Sequence, residues 1–296
     1  MFSRTQRCII PAFILLILVF TGCSPAAETI EPVPATTYEI PVSIVYPEAP
    51  VALGIVSGLP GMIRLIGYSG SDFVTGTVEV SNRDWIPETE KSGGRVNLMQ
   101  NARIMLSDSQ YLTNLWKLRV SDNVPFQLEI RNVQAEGHWN FSGLPITDLY
   151  AELGTAKNAF TFDQPNPTVM QKCEFQCGTG DVVVEGILNA ACRNMVIEAG
   201  KGSLNLRFGG KELLQDLKVT IYASVGTTSI AVFPDIPARI TVTGRGHVIQ
   251  GDGLIKLDGE GSGSIYETAS YRGTQSKTVE ISISGGSSII YLNASP

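Results

Sequence analysis

The chain has 296 residues, 43% hydrophobic and 17% charged, with a formal net charge of -6. That length buries a sizeable core, and an acidic balance of this kind excludes a chain built to hold nucleic acid or anionic lipid headgroups. With 30 glycines and no long amphipathic helical pattern, the composition fits a turn-rich all-β protein.

Arg4 and Arg7 precede the apolar run Cys8 to Phe20. The run is too short to span a bilayer comfortably and has the layout of a signal-peptide core. It ends in Phe20-Thr21-Gly22-Cys23, which resembles the bacterial lipobox, with Phe20 where leucine is usual. The resemblance implies a signal peptide over 1–22, cleavage before Cys23, diacylglycerol on Cys23 and a further acyl chain such as palmitate on the new amino terminus. Two or three acyl chains anchor stably. The expectation is a lipid-anchored chain on the extracytoplasmic side of a cell membrane, with Cys23 as the lipid-attachment residue. Loss of Arg4 and Arg7 takes the formal charge from -6 to -8. The alternative is an ordinary signal peptide with an incidental cysteine.

Residues 23–50 carry the anchor cysteine and a Pro-, Ala-, Glu- and Thr-rich spacer. Within it, Tyr38 to Tyr46 alternates enough to add a strand. Residues 51–125 read as a less regular cap with first rungs. Met62–Ile66 and Phe73–Val80 are strands by β-branched content and period. Asn82 to Pro87 is a turn anchored by Trp85, Ser92-Gly93-Gly94 turns again into Arg95–Leu98, and Ser107 to Leu118 can hold a short helical turn. Trp116–Val120 and Val124–Ile130 then open the regular array.

Residues 126–296 read as a repeat region. Leu149-x-Ala151-x-Leu153 leads to Gly154-Thr155-Ala156, then Phe160-x-Phe162. Cys173-x-Phe175-x-Cys177 leads to Gly178-Thr179-Gly180, then Val182-x-Val184. Met195-x-Ile197-x-Ala199 leads to Gly200-Lys201-Gly202, then Leu204-x-Leu206. Leu217-x-Val219-x-Ile221 leads to Val225-Gly226, then Ile230-x-Val232. The starts lie roughly 22 residues apart, a solenoid period. The expected fold is a parallel β-solenoid, a single-stranded β-helix. Leu149, Cys173, Met195 and Leu217 would form one inward column, with Ala151, Phe175, Ile197 and Val219 beside it. Glycine would serve the corners through its free backbone angles. Val279 to Leu292 would close the far end. The rival is an antiparallel sandwich, which predicts hairpins between sequence neighbours.

Cys173 and Cys177 lie four apart on one strand, about 13 Å, which forbids a mutual disulfide. With Cys192 they read as apolar core thiols.

Several of these segments together resemble the toastrack family of bacterial envelope proteins. They are Gly76-Thr77-Val78-Glu79-Val80, Trp85-Ile86-Pro87-Glu88, Gly93-Gly94, Ser142-Gly143-Leu144-Pro145-Ile146-Thr147-Asp148-Leu149 and Gly178-Thr179-Gly180-Asp181. The departures are Asn132 to Ala135 and Gly154-Thr155-Ala156, where the corner glycines are partly missing. The family implies a single right-handed β-solenoid. It also implies surface location and a role in envelope stress or interaction, without an established catalytic site.

Catalytic sets are missing from the sequence. His138 and His247 sit in separate segments, and no Gly-x-Ser-x-Gly, Cys-x-x-Cys or His-Glu-x-x-His motif occurs. The glycine corners lack the Lys-Ser/Thr pair of a phosphate loop. Asp252, Asp258 and Glu260 could present oxygens to calcium in the Gly244–Gly273 insert, but no tandem nonapeptide repeat supports this. Trp116, Trp139, Tyr266 and Tyr271 could form a glycan platform, while the alternation of Trp139 with Phe141 favours packing. No cofactor or metal is expected. The functional expectation is a non-enzymatic surface scaffold that meets the membrane through its anchor and binds an envelope protein or glycan. The alternative is a β-helical polysaccharide-active enzyme, which would need paired carboxylates on one face. The outward candidates are Glu152, Glu174 and Glu198, with Lys218 and Thr220, and Glu174 and Glu198 occupy non-equivalent slots.

Overall fold

The computed structural model describes residues 37–47, 49, 51–100, 113–210, 213–244, 248–257, 263–272, 276–286 and 288–294. Cys23, His247, Asp258 and Glu260 lie outside the described residues. The amino-terminal strands are β1 (Tyr38–Ile44), β2 (Val51–Ser57), β3 (Gly61–Tyr68), β4 (Val74–Val80), β5 (Glu88–Ser92), β6 (Arg95–Gln100) and β7 (Asn114–Ser121). The central strands are β8 (Phe126–Asn132), β9 (Ala135–Asn140), β10 (Ile146–Leu153), β11 (Asn158–Thr161), β12 (Met170–Cys177), β13 (Val182–Glu185), β14 (Cys192–Ala199), β15 (Ser203–Phe208), β16 (Leu217–Ala223) and β17 (Gly226–Val232). The rest are β18 (Ala238–Gly244), β19 (Val248–Asp252), β20 (Ile255–Leu257), β21 (Gly263–Glu267), β22 (Val279–Gly285) and β23 (Ser288–Asn293).

Two sheets divide these strands. Sheet I has the order β1-β4-β7-β3-β9-β11-β13-β15-β17-β23-β19, and sheet II the order β20-β21-β18-β22-β16-β14-β12-β10-β8-β2-β6-β5. Each rung places one strand in sheet II, turns a corner, and places the next in sheet I. Every strand of the central rungs pairs in parallel with the strand one rung away. Phe175 pairs with Ile197 on the neighbouring rung, as a solenoid requires and a hairpin does not. Strand alternation supplies the core. β16 reads buried at Leu217, Val219, Ile221 and Ala223, with the residues between facing out.

The inward column differs from expectation at one rung. Leu149 meets Cys173, and Cys173 meets Met195, but Met195 meets Val219 rather than Leu217. Ile197 correspondingly meets Ile221. The chain is longer between β15 and β16, which moves β16 by two residues. A shift of two preserves the inward face, so the hydrophobic pattern does not reveal it.

Gly226 and Gly285 serve their corners through positive φ, at 137° and 136°, while the corners between them and β10 need glycine because of contact. Gly178, Gly180, Gly200 and Gly202 all lie outside the positive-φ residues. Instead, stacked corners touch: a Cβ on Gly200 would sit 1.7 Å from the carbonyl oxygen of Gly178, and one on Gly202 would sit 2.1 Å from that of Gly180. Lys201 N–H donates to Gly178 O at 2.9 Å, and Thr179 N–H to Gly154 O at 2.9 Å, which holds the corners together. Where the glycine pattern lapses, asparagine replaces it. Buried Asn132 donates from Nδ2 to Ala135 O at 2.7 Å and to Asn158 Oδ1 at 2.8 Å, and its Oδ1 accepts from Ala135 N at 3.2 Å. From Gln127 opposite Asp148 to Asn132 opposite Leu153 the β8–β10 register runs unbroken, after one shift between Ile146 and Asp148.

At both ends, chain order departs from spatial order. β2 and β3 lie inside β6 and β7, so the amino-terminal segment runs outward before returning at β8. β4 and β1 continue sheet I in antiparallel fashion, so the alternation of Tyr38–Tyr46 does add a strand. Val279 to Leu292 is not the far end. β22 lies between β16 and β18, and β23 between β17 and β19. The outer cover of sheet II is instead the antiparallel set β18, β21 and β20. Part of the helical turn expected over Ser107 to Leu118 is also corrected. Asn114–Leu118 is strand, because Trp116 and Leu118 alternate into the core; residues 107–112 lie outside the described residues.

Two stability outcomes follow from this packing. Val219→Asp places an unpaired carboxylate at a position 1% exposed, and thermal unfolding should show a far larger loss than for Thr220→Asp, whose side chain faces out. Gly200→Ala should cost at least about 2 kcal/mol in denaturant unfolding, because backbone rather than a movable side chain opposes the new methyl.

Candidate binding surface

The outer faces of the two sheets carry different chemistry. On sheet II, charges from neighbouring rungs cancel. Glu129 pairs with Arg95, and with Arg131 at 2.7 Å; Arg131 reaches Glu152 at 3.7 Å, and Lys172 meets Glu174 at 2.7 Å. Burial acts to raise the Glu129 pKa, but hydrogen bonds and charge from Arg131 and Arg95 outweigh it and hold the carboxyl below its ordinary range. That is the behaviour of a fixed anion rather than a general acid. Glu174 lies across from Val196, and Glu198 across from Gln176, so the two carboxylates occupy different rows, as expected.

Sheet I carries an open groove of about 510 Å³, within the range of small-ligand sites. Stacking builds it. Glu185 sits beside Arg207, Arg207 beside Ala231, and Ala231 beside Asn293. One step along the strands, Asn205 lies beside Ser229. The small side chains at Ser229 and Ala231 leave the hollow, while the Arg207–Glu185 pair at 2.7 Å and Phe233 wall it. Gly209 makes room for Phe233, since a Cβ there would meet the ring at 3.0 Å. The set offers a fixed ion pair, two amides, a hydroxyl and a ring, which suits recognition of a polar ligand and supplies no nucleophile–base pair. Sequence reading singles out none of these residues. They are far apart in the chain, and only the rung register assembles them. Nearby, Asp181 Oδ1 accepts from Ser203 Oγ at 2.5 Å and from Ser203 N–H at 3.1 Å, and these bonds lower its pKa.

The sequence candidates fall elsewhere. Trp116, Trp139 and Tyr266 are buried, so the exposed aromatic platform does not form. Trp116 Nε1 donates to Asn114 Oδ1 at 2.9 Å, and Trp139 Nε1 to Asn158 Oδ1 at 3.0 Å, which satisfies both indoles inside the core. Tyr271 lies under the Arg239 guanidinium at 4.6 Å. His138 is exposed, 3.2 Å from Glu136 Oε1. Asp252 ends β19 beside Asn293. Among the described residues, no His, Cys, Asp and Glu group is arranged to hold a metal ion, and no helix is long and apolar enough to cross a membrane.

Residues 56–185 match the model of the N-terminal domain of toast_rack. The chain carries a toast-rack amino-terminal domain. That toast-rack segment runs from within β2 to the end of β13, and so takes in the amino-terminal crossover and the first regular rungs. No curated protein matches the sequence. The fold is similar to the crystal structure of a candidate cell adhesion protein from Clostridium sporogenes, at 14% identity and TM-score 0.42, over 88% of this chain and 100% of that one. It is also similar to that of a candidate adhesin from Bacteroides fragilis, at 10% identity and TM-score 0.36, over 87% of this chain and 97% of that one.

Among the described residues, Cys173, Cys177 and Cys192 are free thiols. Burial, with a hydrogen bond to Cys192, raises the Cys173 pKa well above its usual value. Burial and then the Glu198 charge push Cys177 up to about 12. A raised thiol pKa leaves stability intact below the unfolded value of about 8.5, and stability falls as pH rises from there toward 12. Native protein at pH 7.5 should therefore resist iodoacetamide at Cys173 and Cys177, unfolded protein should label readily, and unfolding midpoints should drop above pH 8.5.

Proposed function

We propose that this toast-rack chain is a non-enzymatic lipoprotein, anchored through Cys23 on the extracytoplasmic side of a cell membrane. Its solenoid, coiled right-handed as in the family, serves as an interaction scaffold for an envelope protein or glycan, in envelope stress response or adhesion. The observation that carries this reading is the groove on sheet I: a rigid, polar concavity assembled from four stacked rungs, with its charges already paired. A surface of that kind is preorganised for binding, since the side chains that meet a partner are already held by the sheet. The charge order of the first 23 residues supports the anchor. The fixed anions Glu129 and Asp181 favour binding over glycoside hydrolysis, which needs one carboxyl kept protonated.

Cell fractionation tests the anchor. Wild-type protein should sediment with membranes and show a mass gain of a diacylglycerol plus one acyl chain at its amino terminus. Cys23→Ser should appear as unprocessed precursor without the lipid. An unmodified Cys23 in the wild type overturns the anchor. Release of new reducing ends from cell-wall or capsular polysaccharide by the purified protein would overturn the non-enzymatic part.

A further inference from the structure

The second depression on sheet I lies near its amino-terminal end and gathers three cations on two neighbouring strands. β7 runs between β4 and β3. In that register Lys117 lies directly across from Arg64, and Arg119, two residues on, lies across from Ile66. All three cations face out. Like charges directly opposite on neighbouring strands are destabilising, whereas on sheet II Arg131 lies opposite Glu152 and Lys172 opposite Asp148. Here only Lys117 has a carboxylate, Glu79 at 2.5 Å. Among the described residues no carboxylate lies within ion-pair distance of Arg64 or Arg119. Arg64 Nε turns to Met62 Sδ at 3.2 Å, a weak acceptor. Arg119 stacks on Tyr68 at 5.4 Å, which fixes its guanidinium without neutralising it. The hollow between them has a volume of about 500 Å³, with Thr77 and the 47% exposed Ile66 on its walls.

The surroundings narrow the ligand. β4, β7 and β3 are each paired on both sides, so no free strand edge is offered to a peptide backbone. Recognition there must use side chains alone: two uncompensated guanidiniums that can clamp a carboxylate, a hydroxyl, and an apolar patch. We infer that this depression binds an acidic sugar unit of a glycan, with its carboxylate between Arg64 and Arg119, a hydroxyl at Thr77 and its carbon-bearing face on Ile66. This deepens the scaffold reading, on which it rests, by naming the ligand class of one surface. The overall acidity of the chain hides the site, because the cations are concentrated on two strands.

Titration calorimetry on the full mature protein in detergent, with trigalacturonate as probe, tests the inference. Trigalacturonate should bind, and its affinity should fall about tenfold between roughly 50 and 500 mM salt as the exposed charges are screened. The neutral galactose trisaccharide should not bind. Arg64→Ala and Arg119→Ala should each weaken binding at least about tenfold, the scale of one charged hydrogen bond, while Glu185→Ala in the other groove should not. The salt and neutral-sugar comparisons need no variant, so a misfolded mutant does not shield the proposal. Absence of trigalacturonate binding, equal binding of the neutral sugar, or insensitivity to both arginine changes would overturn it. Equal binding of triglutamate would also overturn it, by showing a site for acidic peptide. Failure in these arms with Cys23 still lipidated removes this inference and leaves the anchored-scaffold reading standing; an unmodified Cys23 with trigalacturonate still bound does the reverse.

Discussion

Parallel hydrogen bonding between successive rungs is the constraint on which the structure depends. It fixes neighbouring backbones about 4.8 Å apart, and the consequences reach every part of the chain. Corners must approach as closely as strands do, so Gly178, Gly200 and Gly202 are held by backbone contact. Inward residues meet their counterparts one rung away and fill a continuous core. Outward residues are brought beside partners 22 or 24 positions distant, and the surface inherits whatever charges those positions carry.

The two faces use that inheritance differently. Sheet II interleaves acids and bases, so the ion pairs around Glu129 leave a neutral, self-satisfied surface. Pairs of this exposure add little stability, and their effect is to remove unbalanced charge. Sheet I instead presents small outward residues at Ser229 and Ala231 and unbalanced cations at Arg64 and Arg119. The hollows lie at these two places.

The solenoid class was legible in the sequence because period-2 alternation and recurring corners are local signals. Register was only partly legible. Cys173 beside Met195 followed from the 22-residue spacing, but the extra residues before β16 moved Val219 into the place expected for Leu217, and alternation cannot report an even shift. The groove was not legible at all: Glu185, Arg207, Ala231 and Asn293 look unremarkable one by one, and their adjacency exists only after stacking. Aromatic fate was legible only where a neighbour disclosed it, as Phe141 did for Trp139; the burial of Trp116 depends on Asn114, whose amide accepts the indole proton.

The placement of β22 and β23 between rungs that precede them in the chain has a bearing on how the molecule is made. A growing chain emerges amino terminus first, so these strands become available only after the strands they separate. Until they arrive, β16 and β17 each present an unpaired edge, and β18 with β19 has no inner neighbour to dock against. An open edge of that kind invites pairing with another chain. Val279–Asn293 thus act as a keystone wedged between strands made before them, and without them that flank would stay open to pairing with another chain.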